Sequence, residues 1–195
     1  AEYLLLHSPK QVWIIDCIPL PQRCFLKLDI PISESQIEEL MEFWGGIFGT
    51  GDSDVSRDAF LGSETEYNKH TIYTKRSAGV LTGICALSIS KKLPILGGVS
   101  GVATAPDLRR SGIGTEVCRQ ATEDFQINGG QGVFLGTGNP EAARIYHRLG
   151  WRKLAGSAVM ANITGGETPE AFLVDYFREK SETDIISATP EIRLA

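Results

Sequence analysis

With 195 residues, 42% of them hydrophobic, the chain can bury a sizeable core and suits one compact domain, alone or with a terminal extension. Its 19 Lys and Arg against 24 Asp and Glu leave a net charge of −5 and no basic run, which argues against nucleic acid as the partner and favours a small or basic substrate. No apolar run approaches the ~20 residues that span a bilayer, and no charged stretch leads into a cleavable apolar core, so a cytoplasmic protein without membrane contact is expected.

The first elements in chain order are short. Residues 3–6 and 11–18 ("QVWIIDCI") are rich in large apolar and β-branched side chains and read as strands or a loose hairpin, interrupted by Pro19 and Pro21. "CFLKLDI" (24–30) alternates and predicts a strand. Ser33 with Gln36 three residues on forms a capping box, and Ile37, Leu40, Met41 and Trp44 follow at helical spacing. Gly45-Gly46 is the expected stop of that helix. Residues 49–69 are polar, with Phe60 and Leu61 as anchors, and predict a short helix and a loop.

Two strands come next, 70–76 and 79–90, joined by a turn at Ser77-Ala78, and a third over 94–105 whose glycines suggest a bulge or a close backbone approach. Ile113, Val117, Ala121 and Phe125 step by four along one helix face that ends at Asn128-Gly129-Gly130. A buried strand (132–137), a helix opening at Pro140 and closing at Gly150, a strand (154–163) and a helix (169–180) complete a mixed α/β sheet. Cys17, Cys24, Cys85 and Cys118 lack CxxC spacing or a His pattern, so buried thiols are expected, with no metal. A start at Ala1 and an apolar end at "PEIRLA" are compatible with a chain processed or cut from something longer.

The segment "PDLRRSGIGTE" (106–116) lies between the third strand and a helix. Helix starts carry unpaired N–H groups and partial positive charge, so a glycine-containing turn there suits an anion. Gly112 and Gly114 let a ligand approach the backbone, and Arg109 and Arg110 add charge. Neither a dinucleotide fingerprint nor a P-loop is present, so the residues alone admit a phosphate cradle or an ordinary basic turn.

"VATAPDLRRSGIGTEVC" resembles the acetyl-CoA-binding motif of the GNAT N-acetyltransferase superfamily, in which a strand runs into PxxRxxGxG and a helix; Pro106, Arg109, Gly112 and Gly114 are in register. "LGTGNPEAARIYHRLGWRKL" resembles the downstream segment of the same family through Asn139, Ala142, Tyr146 and Gly150-Trp151. The resemblance implies a mostly antiparallel central sheet, splayed at the cofactor site and flanked by helices. It places a GNAT domain over 24–165, an N-terminal extension over 1–23, and a C-terminal helix and tail over 166–195.

It also implies roles. Backbone groups of Val102 and Thr104 would bond the pantetheine arm, and the loop of Arg109, Arg110, Ser111, Gly112, Ile113, Gly114 and Thr115 would hold the pyrophosphate of acetyl-CoA, the co-substrate. Asn139 matches a residue that contacts pantetheine or orders the helix start, and capping before Pro140 accounts for it equally well. Tyr146 matches the tyrosine that protonates the departing thiolate in many members; the other reading is a core aromatic. Many relatives carry a basic carboxylate on the splayed strand, whereas "GGVSG" (97–101) offers none, leaving Glu64, Glu66, Asp54 or a water chain as candidates.

His147 is expected at the surface, and His70 reads as structural or as reaching the acceptor groove. Trp44, Phe48, Phe60 and Tyr67 fall in the region that shapes the acceptor pocket in the family, although core packing explains each. The expected activity is acetyl transfer to a primary amine on a small molecule. The rival readings are a CoA-binding sensor without turnover and acetylation of a protein amine; a homodimer is left open.

Overall fold

The computed structural model describes residues 23–49 and 53–178; the strands expected over 3–6 and 11–18, and Cys17, lie outside them. The strands are β1 (Arg23–Asp29), β2 (Asn68–Ser77), β3 (Val80–Ser90), β4 (Leu96–Thr104), β5 (Gly132–Gly136), β6 (Arg152–Lys153) and β7 (Val159–Ile163). The helices are α1 (Glu34–Phe48), α2 (Ser53–Leu61), α3 (Ile113–Ile127), α4 (Pro140–Arg148) and α5 (Pro169–Phe177). One sheet runs in the order β1-β2-β3-β4-β5-β7-β6. Every pairing is antiparallel except β4 with β5.

Period-two alternation divides the side chains between two faces of this sheet. On one, Val117, Cys118, Ala121 and Phe125 of α3 and Tyr146 of α4 pack with Tyr73, Cys85, Leu87, Val99, Val133, Trp151 and Met160. The four residues picked out by their spacing, Ile113, Val117, Ala121 and Phe125, are all buried. On the other face Ile37 and Leu40 of α1 and Phe60 of α2 cover Leu28, Ile72, Ile84 and Ala103. Further along, Phe172 of α5 packs on Ala161 and Ile163. A Cβ on Gly132 would lie 2.7 Å from the Phe172 ring, so the bare strand residue is what lets α5 settle.

The capping box forms as the sequence requires: Gln36 N–H donates to Ser33 Oγ at 3.4 Å, and Ser33 N–H to Gln36 Oε1 at 3.0 Å. Three expected boundaries shift. Helix α1 runs through Gly45-Gly46 to Phe48, and Gly49 (φ 87°) caps it by donating to Gly45 O at 3.0 Å. Helical glycine costs only about 1 kcal/mol, and Trp44 and Ile47 packed on the core hold the last turn. The β2–β3 turn is Ala78-Gly79, both at positive φ as a two-residue hairpin needs, rather than Ser77-Ala78.

The strand expected over 154–163 is instead the turn and second arm of a hairpin, with Arg152 opposite Ala161 and Lys153 opposite Met160. Gly156 at φ 74° and the bond from Leu154 N–H to Val159 O (2.9 Å) make the reversal. A two-residue edge strand of exposed Arg and Lys has no alternation by which a sequence could reveal it.

Candidate active site

Strands β4 and β5 share only the positions Leu96–Gly132, Gly97–Val133 and Gly98–Phe134. Beyond Gly98 they part. Leu135 and Gly136 pair only with β7, and Val99, Ser100, Ala103 and Thr104 only with β3, so a wedge opens between the central strands. Parallel neighbours that diverge leave backbone groups without a sheet partner, and such groups suit an extended ligand.

The orientation of those groups follows from the ladder. Gly83 opposes Thr104, Ile84 opposes Ala103, and the next rung is Ala105 N–H to Thr82 O at 3.0 Å. Because N–H groups alternate sides along a strand, those of Ala103 and Ala105 turn to β3, and those of Val102 and Thr104 turn to the wedge. Between Ile84 and Ala86 the register slips, so Cys85 faces both Gly101 and Val102, a β-bulge with Gly101 at φ 58°.

The wedge leads to the start of α3. Residues Pro106–Leu108 make a 3₁₀ turn, Arg110 sits at φ 65°, and Gly112 is the left-handed N-cap at φ 84°. Among the described residues no side chain caps α3, whereas Ser33, Asn139 and Thr168 cap α1, α4 and α5. The first-turn N–H groups therefore remain available to an anion. Ser111 Oγ donates back to Leu108 O at 2.5 Å, which tightens the loop.

Two glycines bring helix and strands together. A Cβ on Gly83 would lie 2.2 Å from Ile113 Cγ2, and one on Gly114 would lie 3.0 Å from Thr104 Oγ1 and 4.0 Å from Val102 Cγ1. The wedge strand and the start of α3 are thus one continuous surface. A contact the sequence did not reveal anchors the other flank: Lys75, 2% exposed, pairs with Glu116 in the first turn of α3, its ammonium 4.7 Å from the Phe25 ring. Lys27 and Tyr73 bind Asp124, two turns further along, in the same way.

Tyr146 lies in the buried cluster that includes Cys85, and Val102 packs against the same cluster. Burial, then the nearby Cys118 and Cys85 thiols, push its phenol above the ordinary 10, so it is protonated at neutral pH. The phenol therefore holds its proton more tightly than an unperturbed tyrosine and is the weaker acid. Its ring tilts against Trp151, with centroids 5.9 Å apart. Cys85 and Cys118 are free and buried; the hydrogen bond with Cys118 and complete burial raise the Cys85 thiol, leaving it inert. The Cys24 side chain lies outside the described residues.

Asn139 caps α4, accepting from Glu141 N–H at 2.9 Å and Ala142 N–H at 3.4 Å. His147 is exposed, its Nδ1 3.1 Å from Trp151 O. His70 does not join the wedge. It pairs with Ser88, three residues from Cys85, hence about 10 Å away along the strand. There Nδ1 is 2.8 Å from Ser88 Oγ and Nε2 is 3.2 Å from Glu64 Oε2.

Glu64, one candidate base, is held in this cluster. Glu66 lies in the turn after α2, and the Asp54 side chain is outside the described set. Desolvation holds His70 below its ordinary 6.5 although Glu64 pulls upward. A depressed folded value means that its contribution to stability is present above pH 6.5 and is lost as pH falls below it. Thermal melts should decline through that window, and His70→Gln should flatten the decline; an unchanged slope would remove His70 from the account.

Among the described residues no cluster of His, Cys, Asp and Glu could hold a metal, and no helix is long and apolar enough to cross a membrane. A cavity of about 420 Å³ between α3 and β7 includes Arg119, Gln126, Asn162 and Glu167, but no cradle residue. Its buried Asn162 is already partnered, accepting from Gln126 and donating to Leu149 O.

A mostly antiparallel sheet parted beside a glycine-rich, uncapped helix start defines the class of GNAT-type acetyltransferase folds. The profile of the acetyltransferase (GNAT) family matches residues 34–151, and the chain belongs to that family. No curated protein matches the chain in sequence. Among solved structures it is similar to a GNAT-family acetyltransferase from Staphylococcus aureus Mu50, with 14% identity, TM-score 0.54, and coverage of 71% of this chain and 99% of that one. It is similar also to YncA of Salmonella typhimurium, solved with its cofactor acetyl-CoA: 13% identity, TM-score 0.53, 71% of this chain and 94% of that one. A third is the ribosomal-protein-S18-alanine N-acetyltransferase of Escherichia coli, with 11% identity, TM-score 0.53 and the same 71% and 94% coverage. These likenesses are of fold.

Proposed function

We propose that this protein transfers the acetyl group of acetyl-CoA to a primary amine carried on a small molecule. The observation that carries the reading is the continuity from the wedge-facing N–H groups of Val102 and Thr104 to the uncapped first turn of α3. Acetyl-CoA supplies an activated thioester. Val102 and Thr104 hold the pantetheine arm as an added strand, and Asn139 meets it from the start of α4. Arg109, Arg110, Ser111, Gly112, Ile113, Gly114 and Thr115 receive the pyrophosphate through backbone N–H groups and the two exposed guanidinium groups.

In the reaction the neutral amine attacks the thioester carbon, the C–N bond forms and the C–S bond breaks. The Val102 N–H faces the charge that grows on the carbonyl oxygen. Tyr146 gives its proton to the departing sulfur, and the proton lost by the amine to water restores the phenol. Strand β4 carries no carboxylate, so deprotonation of the amine is assigned to solvent. The net charge of −5 favours a cationic acceptor.

The test is a thermal-shift titration with acetyl-CoA and CoA, followed by thiol release over a panel of small amines and N-terminal peptides. Stabilisation with thiol release from small amines is expected. Absence of stabilisation at saturating CoA overturns the reading, stabilisation without thiol release from any acceptor points to a sensor, and release with peptides alone moves the acceptor to protein. Arg110→Ala should raise the acetyl-CoA KM about ten- to a hundredfold with little change in kcat, the loss of one charge-assisted contact of ~1.5–3 kcal/mol. A fall in kcat at unchanged KM would remove Arg110 from cofactor binding.

A further inference from the structure

Among the described residues helix α1 reaches the bulge of β4 through one polar contact. Trp44 Nε1–H donates to Gly101 O at 2.7 Å, and the indole stacks on Phe60 of α2 with an interplanar angle of 18°. Gly101 is at φ 58°, and a Cβ there would lie 2.8–2.9 Å from three indole atoms. Glycine and indole therefore require each other: any side chain at position 101 would occupy the space of Trp44. Trp44 comes from the α1–α2 face of the sheet, whereas Tyr146 sits on the opposite face with α3.

The peptide group makes this contact directional. The unit joining Gly101 to Val102 is planar and trans, so its C=O and N–H point in opposite directions. Holding the Gly101 carbonyl therefore fixes the Val102 N–H. At a bulge the neighbouring ladder constrains that plane less than in a regular strand, and the indole supplies the missing restraint.

We infer that Trp44 is a positioning residue for acetyl transfer: by binding Gly101 O it keeps the Val102 N–H directed into the wedge, where it meets the thioester carbonyl. The inference rests on the acetyl-transfer reading above. Misaiming a donor, as opposed to deleting it, should cost about tenfold in rate, below the 10²–10³ of a lost oxyanion donor.

The experiment compares wild type with Trp44→Phe, which keeps an aromatic ring on Phe60 and removes the N–H. The expected kcat is about tenfold lower, with acetyl-CoA KM and the CoA thermal shift within about twofold of wild type. In the ligand-free protein the Gly101 carbonyl and Val102 amide resonances should move, while Ile113, Gly114 and Thr115 stay in place. That readout does not depend on turnover. Wild-type kcat in the variant, or a loss confined to KM, overturns the inference, as does an unmoved Val102 amide. If wild type itself neither binds CoA nor releases thiol, the acetyl-transfer reading fails instead, and the resonance shifts still report whether the indole sets the bulge.

Discussion

Replacing Tyr146 by Phe is expected to lower kcat about a hundredfold, the lower end of what a positioned general acid contributes. The acetyl-CoA KM should hold, because the hydroxyl is assigned to the leaving sulfur and not to the bound ground state. Stability should change little, since Phe keeps the ring against Trp151. The upward shift of the phenol by burial and by Cys118 and Cys85 adds a second signature. With Tyr146 protonated well past its ordinary value of 10, kcat should show no alkaline fall attributable to it up to that pH. Single-turnover thiol release across pH 7–10 checks both. A variant with unimpaired chemistry would return Tyr146 to its other reading, a core aromatic.

The second large effect is structural and concerns the residue behind that tyrosine. Trp151 is 1% exposed, and its Nε1 is buried without a hydrogen-bond partner among the described residues. Trp151→Ala should cost about 3–5 kcal/mol, the range for emptying an aromatic site in a core. It should also lower kcat by freeing the Tyr146 ring. Trp151→Phe should cost far less, because removing an unsatisfied N–H recovers about 1–3 kcal/mol against the lost volume. Denaturant melts of the two variants decide this; equal losses would show that the indole N–H carries no penalty.

The pair also shows why the family resemblance at Gly150-Trp151 concerns packing as well as chemistry. Trp151 follows the end of α4 and fills the core beneath the helix that carries Tyr146. Sequence could mark both residues. It could not say that one supports the other.

Several features were legible because local chemistry was sufficient to specify them. The Ser33 capping box, the four-residue stepping of Ile113 to Phe125, and the Asn139-Pro140 helix start each depend on neighbours within a turn or two. The glycine-bearing turn into α3 was legible for the same reason: its left-handed Gly112 start acts through the local backbone. Gly45-Gly46 misled because helix propensity is weak beside the packing of Trp44 and Ile47. Residues 154–163 read as one strand in sequence because the edge arm, Arg152–Lys153, is two charged residues long.

The order of strands and helices, the glycine-bearing turn into α3 and the two family motifs are written locally, because their causes lie within a few residues. Where β4 leaves β5, which N–H groups face the wedge, that buried Lys75 pairs with Glu116 and that His70 lies away from the wedge come from the assembled fold. It decided also that an indole 57 positions away holds Gly101 O. These depend on register and on contacts between distant segments, where one residue of slip exchanges the faces of a strand, and no local pattern encodes that choice.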